Sequence, residues 1–274
     1  MMSGASSSPG QVSGYGAIFD SLPLLQRIKK RLRVPVPLFK LLHLNEPRFE
    51  CPLCAYRGPF EEIRVVTGNR KHGMCPKCSA LERHRIQYLV MMDLFKVLKC
   101  QELKMLHFAP EKYFRQRFTQ RFGKYETADL FDPSVDHKVD MQNLPFDDAS
   151  YDFVFASHVL EHIPDDRRAV SEIRRILRPN GIAVLPVPIV SDKTIEYPEP
   201  NPLEHYHVRA PGPDFYDRYK EHFARVEVFS SCSFPEKYQT FAYEDRSKWP
   251  TTDFPLRVPS PGERHPDFVP VCYV

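Results

Sequence analysis

The sequence predicts an α/β protein: a doubly wound parallel sheet preceded by a small metal-stapled ribbon. Three observations carry this expectation. From residue 104 onward, apolar strand-length runs alternate with amphipathic helix-length segments, the pattern of a parallel sheet with crossover helices. Ahead of them stand two C-x2-C pairs, "CPLC" at 51–54 and "CPKC" at 75–78. With 274 residues, 42% of them hydrophobic, the chain is long and apolar enough to bury the core of one or two domains.

Composition narrows the function classes. A formal net charge of +3 is too mild to mark a nucleic-acid protein, although the positive charge concentrates before residue 90 and leaves RNA open. No transmembrane segment is expected, because the longest apolar run, "GIAVLPVPIV", is short and broken by prolines. Seven cysteines, an odd number with four in close pairs, argue against a secreted disulfide framework. A reducing, cytoplasmic setting is therefore expected, with Cys100, Cys232 and Cys272 as free buried thiols.

Residues 1–20 are rich in Ser and Gly and read as an unstructured tail. Residues 21–48, containing "SLPLLQRIKKRLRVPVPLFKLLHL", form a basic amphipathic arm expected to pack on the domain. A membrane-surface helix or an organellar transit peptide has a similar composition. In the ribbon, 49–79, the four thiolates of Cys51, Cys54, Cys75 and Cys78 can surround one zinc ion tetrahedrally. The alternative is four unrelated core thiols. "RGPFEEIRVVTGNRKHGM" between the pairs reads as short strands around a Gly-Asn turn. With four sulfur ligands the ion has no open position, so its role is structural. Residues 80–99 form a linking helix, with a capping box from Ser79 and Glu82 and an apolar face of Leu81, Tyr88, Leu89, Met92 and Phe95. Glu82, Arg83, His84 and Arg85 serve either as cap and solvated face or as part of a site.

The main domain, 100–274, opens with the strand "KMLHFA". A helix follows with Pro110 in its first turn and Phe114, Phe118 and Phe122 on one face. Further strands end at Asp129 and Asp140, and "YDFVFA" is a nearly wholly apolar fourth strand leading into a helical turn. "DDRRAVSEIRRILRPNG" is a helix closed by Pro-Asn-Gly, and "IAVLPVPIV" is the fifth strand. A loop at 192–213 and a proline-rich insertion at 231–267 precede a last strand.

"TADL", "VDMQNLPFDDASYDFVFASHVLEHIPDD" and "EIRRILRPNGIAVLPVPI" resemble successive motifs of the class I S-adenosylmethionine-dependent methyltransferases. Taken with "CPKCSALERHR" and "HFAPE", they resemble a bacterial-type subfamily that carries an N-terminal zinc ribbon, over roughly residues 50–230. The resemblance implies a Rossmann-like, seven-stranded methyltransferase sheet, S-adenosylmethionine as cofactor, structural zinc and a small-molecule acceptor. An RNA base methyltransferase, holding RNA with ribbon and arm, and a non-catalytic cofactor-binding module are the alternatives.

By position, His107 stands where the general pattern has an acidic residue, and Ala109, Pro110 and Glu111 stand where it has a glycine-rich loop. A helix start there still offers unpaired N–H groups to a carboxylate, and Glu111 can pair with an ammonium. Equally, His107 can be a core histidine and Glu111 a helix-start carboxylate. Asp129, at a strand end, is placed to hold ribose hydroxyls, and Asp140 with Met141 resembles the adenine-edge pair. Methyl transfer needs positioning, and a base only when the acceptor carries a proton. The candidates are His158 and Glu161, with His162, at helical spacing after strand four, and His207 with Arg209, two apart on an extended stretch. His162 can instead cap its turn, and Arg209 can bridge a nearby carboxylate with His207 merely solvated.

Overall fold

The computed structural model describes residues 34–65 and 68–274. The expected tail and residues 21–33 of the expected arm lie outside the described residues. Two compact units are present, one ending at Leu42 and one running from His43 to Val274. In the first, helix α1 (Val36–Leu42) opens with Phe39 N–H donating to Pro35 O.

The second unit begins with the ribbon. Strands β1 (Phe49–Glu50) and β2 (Arg57–Gly58) pair around the first cysteine knuckle, and β3 (Glu61–Val65) pairs with β4 (Gly68–Met74). Helix α2 (Glu82–Val97) follows. Its start is not the Ser79/Glu82 capping box expected from sequence: Leu81 N–H donates to His84 Nδ1 at 3.0 Å, and Glu82 turns to Arg70. Its buried face also differs, comprising His84, Arg85, Ile86, Gln87, Val90, Met91, Leu94 and Phe95. Polar residues join that face because the helix is wedged between ribbon and sheet.

The centre of the main sheet is built from β5 (Lys104–Phe108), β6 (Lys124–Asp129), β7 (His137–Lys138), β8 (Tyr151–Ala156) and β9 (Leu177–Val184), all parallel to one another. Beside them lie a hairpin of β10 (Ile195–Asn201) and β11 (His207–Ala210), then β12 (Arg225–Ser230), β13 (Ala242–Tyr243), β14 (Arg264–His265) and β15 (Phe268–Tyr273). The seven-stranded order is β12-β15-β9-β8-β5-β6-β7, with β15 antiparallel to both neighbours. The chain winds outward from β5 toward β7 and then returns to β8, so the topological switch lies between β5 and β8, where doubly wound sheets bind ligands. Crossovers are made by α3 (Lys112–Thr119) and α4 (Asp166–Ile176), and α5 (Asp217–Lys220) precedes β12.

Strand alternation divides the core. His107, Phe153 and Phe155 join an aromatic layer with Phe95, Phe114, Phe118 and Phe122, including a Phe114–Phe118 stack with centroids 5.4 Å apart. Leu106, Phe108, Val154 and Ala156 join an apolar cluster with Val170 and Ile173 of α4 and Tyr219 of α5. Both faces are covered, which is why these strands read as continuous apolar runs.

Several sequence expectations are corrected locally. The helix after β5 starts at Lys112, leaving Pro110 outside its first turn. The strand expected to end at Asp140 stops at Lys138. Pro-Asn-Gly does not close α4 but forms an irregularity within β9, with Asn180 at φ 66°. Cys232 is exposed, whereas Cys100 and Cys272 are buried. The 192–213 stretch is largely a hairpin, and the 231–267 stretch contributes β13 and β14 to the ribbon's sheet, in the order β14-β13-β4-β3.

Candidate active site and metal centre

The ribbon's two knuckles have the same backbone. Cys51 N–H donates to Tyr56 O and Ala55 N–H to Cys51 O, and likewise Cys75 N–H to Ala80 O and Ser79 N–H to Cys75 O. Ala55 and Ser79 both take left-handed φ, 55° and 66°. The repeated turn aims four sulfurs at one point: Cys51 and Cys78 Sγ are 3.6 Å apart, as are Cys54 and Cys75, and all four lie within 4.8 Å of one another. A tetrahedral zinc with Zn–S bonds of about 2.3 Å sets sulfurs roughly 3.8 Å apart, so the set fits that ion. Hydrogen bonds from Cys51 and Cys78 push the Cys75 thiol up, while the same kind of bonds from Cys51 and Cys75 pull Cys78 down. Four sulfurs this close cannot all ionise unless a cation offsets their charge.

Arg85, fully buried, ties this ribbon to the domain. It donates to the backbone oxygens of Gln239, Gly73 and Ala80, and its guanidinium lies 4.5 Å from the Phe60 ring centroid. From the other side, α3 reaches the knuckles through Tyr113 OH to Ser79 O and Arg117 to Leu53 O.

At the carboxyl end of β5 the chain turns without glycine. Ala109 takes φ 45°, the left-handed conformation that glycine usually supplies, while its N–H donates to Ala128 O. Glu111 caps α3 by position, but its carboxylate faces inward: Oε1 accepts from Ser157 Oγ at 3.1 Å and lies 3.7 Å from His84 Nε2. Oε2 is 3.8 Å from His107 Nε2. His107 is fully buried, with Nδ1 2.8 Å from Tyr125 OH, and burial pushes its pKa down. Asp129 ends β6 beside this loop; its Oδ1 accepts from Phe131 and Asp132 N–H, which fixes the carboxylate's direction. Asp140 is exposed and holds Gln142, and Met141 beside it is buried.

After β8, His158 takes φ 54° and its N–H donates to Pro186 O. It does not share a helical face with Glu161, since the helical turn covers only Leu160–His162; the backbone kink still brings His158 Nδ1 to 3.3 Å from Glu161 Oε1. Glu161 is 1% exposed: burial pushes its carboxyl up, and the facing histidine overcomes this and holds it at about 2. His207 approaches from β11, its ring centroid 4.6 Å from that of His162. Burial pushes its imidazole down to about 3. Arg209, two residues on and on the same side, is used by the protein itself. It donates to Leu160, Ile163 and Pro164 oxygens and pairs with Glu196 and Asp166. Its guanidinium therefore clamps the 160–164 turn and is not presented to a ligand.

A cavity of about 210 Å³ lies alongside, lined by His158, His205 and His207, by Arg70 and Arg83, and by Trp249 and Arg257 of the insertion. No local pattern marks the insertion's part in this wall, nor the Arg70–Glu82 and Arg70–Glu244 pairs behind it, at 2.7 and 3.3 Å. The hint is "ERHRIQ": His84 and Gln87 lie three apart on the face of α2 turned toward Glu111 and Ser157, with the Gln87 amide 3.1 Å from Ser157 Oγ.

Buried polar atoms without a hydrogen-bond partner gather here, some of them 3.7–3.8 Å from a carboxylate oxygen. They include His84 Nε2, Gln87 Nε2, His107 Nε2, Glu111 Oε2, His158 Nε2, Glu161 Oε2 and His207 Nδ1. Such atoms cost free energy unless a ligand or water meets them, and their convergence on the carboxyl ends of β5 and β8 makes this the candidate binding site.

Residues 100–185 match the family described as a methyltransferase domain. Demethylmenaquinone methyltransferase of Staphylococcus epidermidis is 42% identical over 62 residues, covering 23% of this chain and 25% of that protein. A 37.1 kDa protein in a transposon of Streptomyces fradiae is 38% identical over 68 residues, 24% of this chain and 20% of its own length. The matched segments thus span a fifth to a quarter of these curated relatives. Among solved structures, an S-adenosylmethionine-dependent methyltransferase from Mesorhizobium loti overlays 69% of this chain and 97% of its own, at 11% identity and a TM-score of 0.45. Phosphoethanolamine N-methyltransferase 2 of Haemonchus contortus with S-adenosyl-L-methionine covers 53% and 38%, at 21% identity and a TM-score of 0.41.

Proposed function

We propose that the protein is an S-adenosylmethionine-dependent methyltransferase acting on a small-molecule acceptor by direct displacement, with structural zinc in its ribbon. The observation that carries this reading is the set of orphaned polar atoms at the switch point of a sheet whose first five strands match a methyltransferase domain. The cofactor, when bound, supplies an electrophilic methyl group on a sulfonium.

The residues assigned to its binding are His107, Ala109, Pro110, Glu111, Asp129, Asp140 and Met141. Glu111 offers a carboxylate oxygen to an ammonium, with buried His107 supporting it from below. Asp129 makes no protein hydrogen bond through Oδ2 among the described residues, and that oxygen is assigned to the ribose hydroxyls. On the acceptor side, His158 lines the cavity with Nε2 unpartnered and is assigned as base or anchor, with Glu161 orienting it. His207 shares the cavity wall, and Arg209 positions the turn that carries Glu161. A cavity of about 210 Å³ suits a small acceptor better than a flipped nucleotide held with its flanking backbone. Cys51, Cys54, Cys75 and Cys78 are assigned to zinc.

Calorimetry with S-adenosylhomocysteine tests the reading. Wild type is expected to bind, and Asp129→Ala to bind about 10- to 100-fold more weakly, the worth of a charge-assisted hydrogen bond. Absence of heat in the wild-type, zinc-replete protein would sink it.

A further inference from the structure

We infer that Glu161, His162 and His207 form a second metal site, a two-histidine, one-carboxylate set for a divalent first-row cation at the mouth of the acceptor cavity. One ligand atom from each lies within 4.8 Å of the others. Glu161 is 1% exposed, and among the described residues no lysine or arginine lies within salt-bridge range of it. One of its oxygens faces His158 Nδ1 at 3.3 Å; the other is buried without a hydrogen-bond partner, as is His207 Nδ1, which lies 3.7 Å from Glu204 Oε2. A carboxylate that deep is costly unless both of its oxygens are met, and His158 meets only one of them. A cation among these three side chains meets the other.

The fold holds the set from two sides. Glu161 and His162 come from the turn after β8, and His207 from the hairpin strand β11. Arg209 binds the carbonyls of Leu160, Ile163 and Pro164, locking β11 against that turn. It is a positioning residue for the set. Bonds of about 2.0–2.2 Å to nitrogen and oxygen would place ligand atoms roughly 3–3.5 Å apart, so the side chains need to close by at most about 1.3–1.8 Å.

Three protein ligands leave open positions, as in other two-histidine, one-carboxylate sites. These positions adjoin the cavity lined by His158 and His207, and the species suited to them is the oxygen of a hydroxyl-bearing acceptor. This deepens, and rests on, the methyltransferase reading: it makes the acceptor atom oxygen. The acceptor's O–H bond breaks with its proton passing to His158 Nε2. The new O–C bond forms as the methyl–sulfur bond breaks, and that electron pair stays on sulfur.

The test titrates Mn2+ into the full chain with its four-cysteine zinc in place, following loss of the free-ion electron paramagnetic resonance signal, with S-adenosylhomocysteine calorimetry run in parallel. One Mn2+ per chain is expected, with Glu161→Gln and His207→Gln each weakening it at least about 100-fold while zinc content and thermal midpoint stay at wild type. If Glu161→Gln fails to fold, His207→Gln, on a peripheral hairpin, decides alone. No stoichiometric Mn2+, or equal affinity in wild type and variants, overturns the site even if S-adenosylhomocysteine binds. Mn2+ binding without S-adenosylhomocysteine binding keeps the site and overturns the transfer reaction assigned to it.

Discussion

Ala109 and His107 show how single residues carry this loop. A left-handed alanine costs about 1–2 kcal/mol, part of which glycine would recover after its own entropy cost. Ala109→Gly is therefore expected to raise the unfolding free energy by about 0.5–1 kcal/mol, read by denaturant titration. A drop would mean that the methyl group makes contacts worth more than the strain. His84 and His107 give a pH signature. Burial pushes His84 well below and His107 below the ordinary imidazole range, so both stay neutral when folded. The unfolded chain takes up these protons as pH falls through about 6.5, and the folded protein refuses them. Stability is thus full above that pH and declines below it, by up to about 1.4 kcal/mol per pH unit for each histidine. Urea midpoints at about pH 7.5 and about pH 5.5 should differ accordingly, and His107→Gln should reduce the difference. An unchanged difference would show that His107 is protonated when folded.

At the scale of elements, the ribbon and α3 act together. Tyr113 and Arg117 of α3 bond to both knuckles, and Glu111 at the start of α3 faces the proposed cofactor site. Removing the proposed zinc with a chelator is therefore expected to lower the thermal midpoint and to weaken S-adenosylhomocysteine about 10-fold or more, although none of the four cysteines lines that site. Tyr113→Phe in zinc-replete protein should give a smaller loss of the same sign. Chelation that lowers the midpoint and leaves affinity unchanged would sever this link.

At the scale of the molecule, residues 43–274 form one compact unit in which β4 of the ribbon pairs with β13 of a segment some 170 residues later, Lys71 opposite Tyr243. Arg85 fastens the same junction to Gln239. Deleting residues 49–79 is expected to leave a chain without a cooperative thermal transition, because β13, β14 and the buried Arg85 lose their partners. A cooperative transition in that deletion would make the ribbon a separable module.

The sequence by itself determined the alternation of strands and helices, the paired knuckles and the strand ends where Asp129 and Glu111 sit, because local period and spacing encode these directly. It also placed His107 and the absence of glycine at 109–111, without deciding between core and site. Only the tertiary structure showed that His107 is a buried ring beneath Glu111, whose carboxylate it approaches to 3.8 Å. It turned Arg209 inward onto the 160–164 turn, gathered Glu161, His162 and His207 from separate segments, and made the insertion a wall of the cavity. These contacts join residues far apart in the chain. Their energies come from burial and unmet hydrogen bonds, quantities that local pattern does not carry.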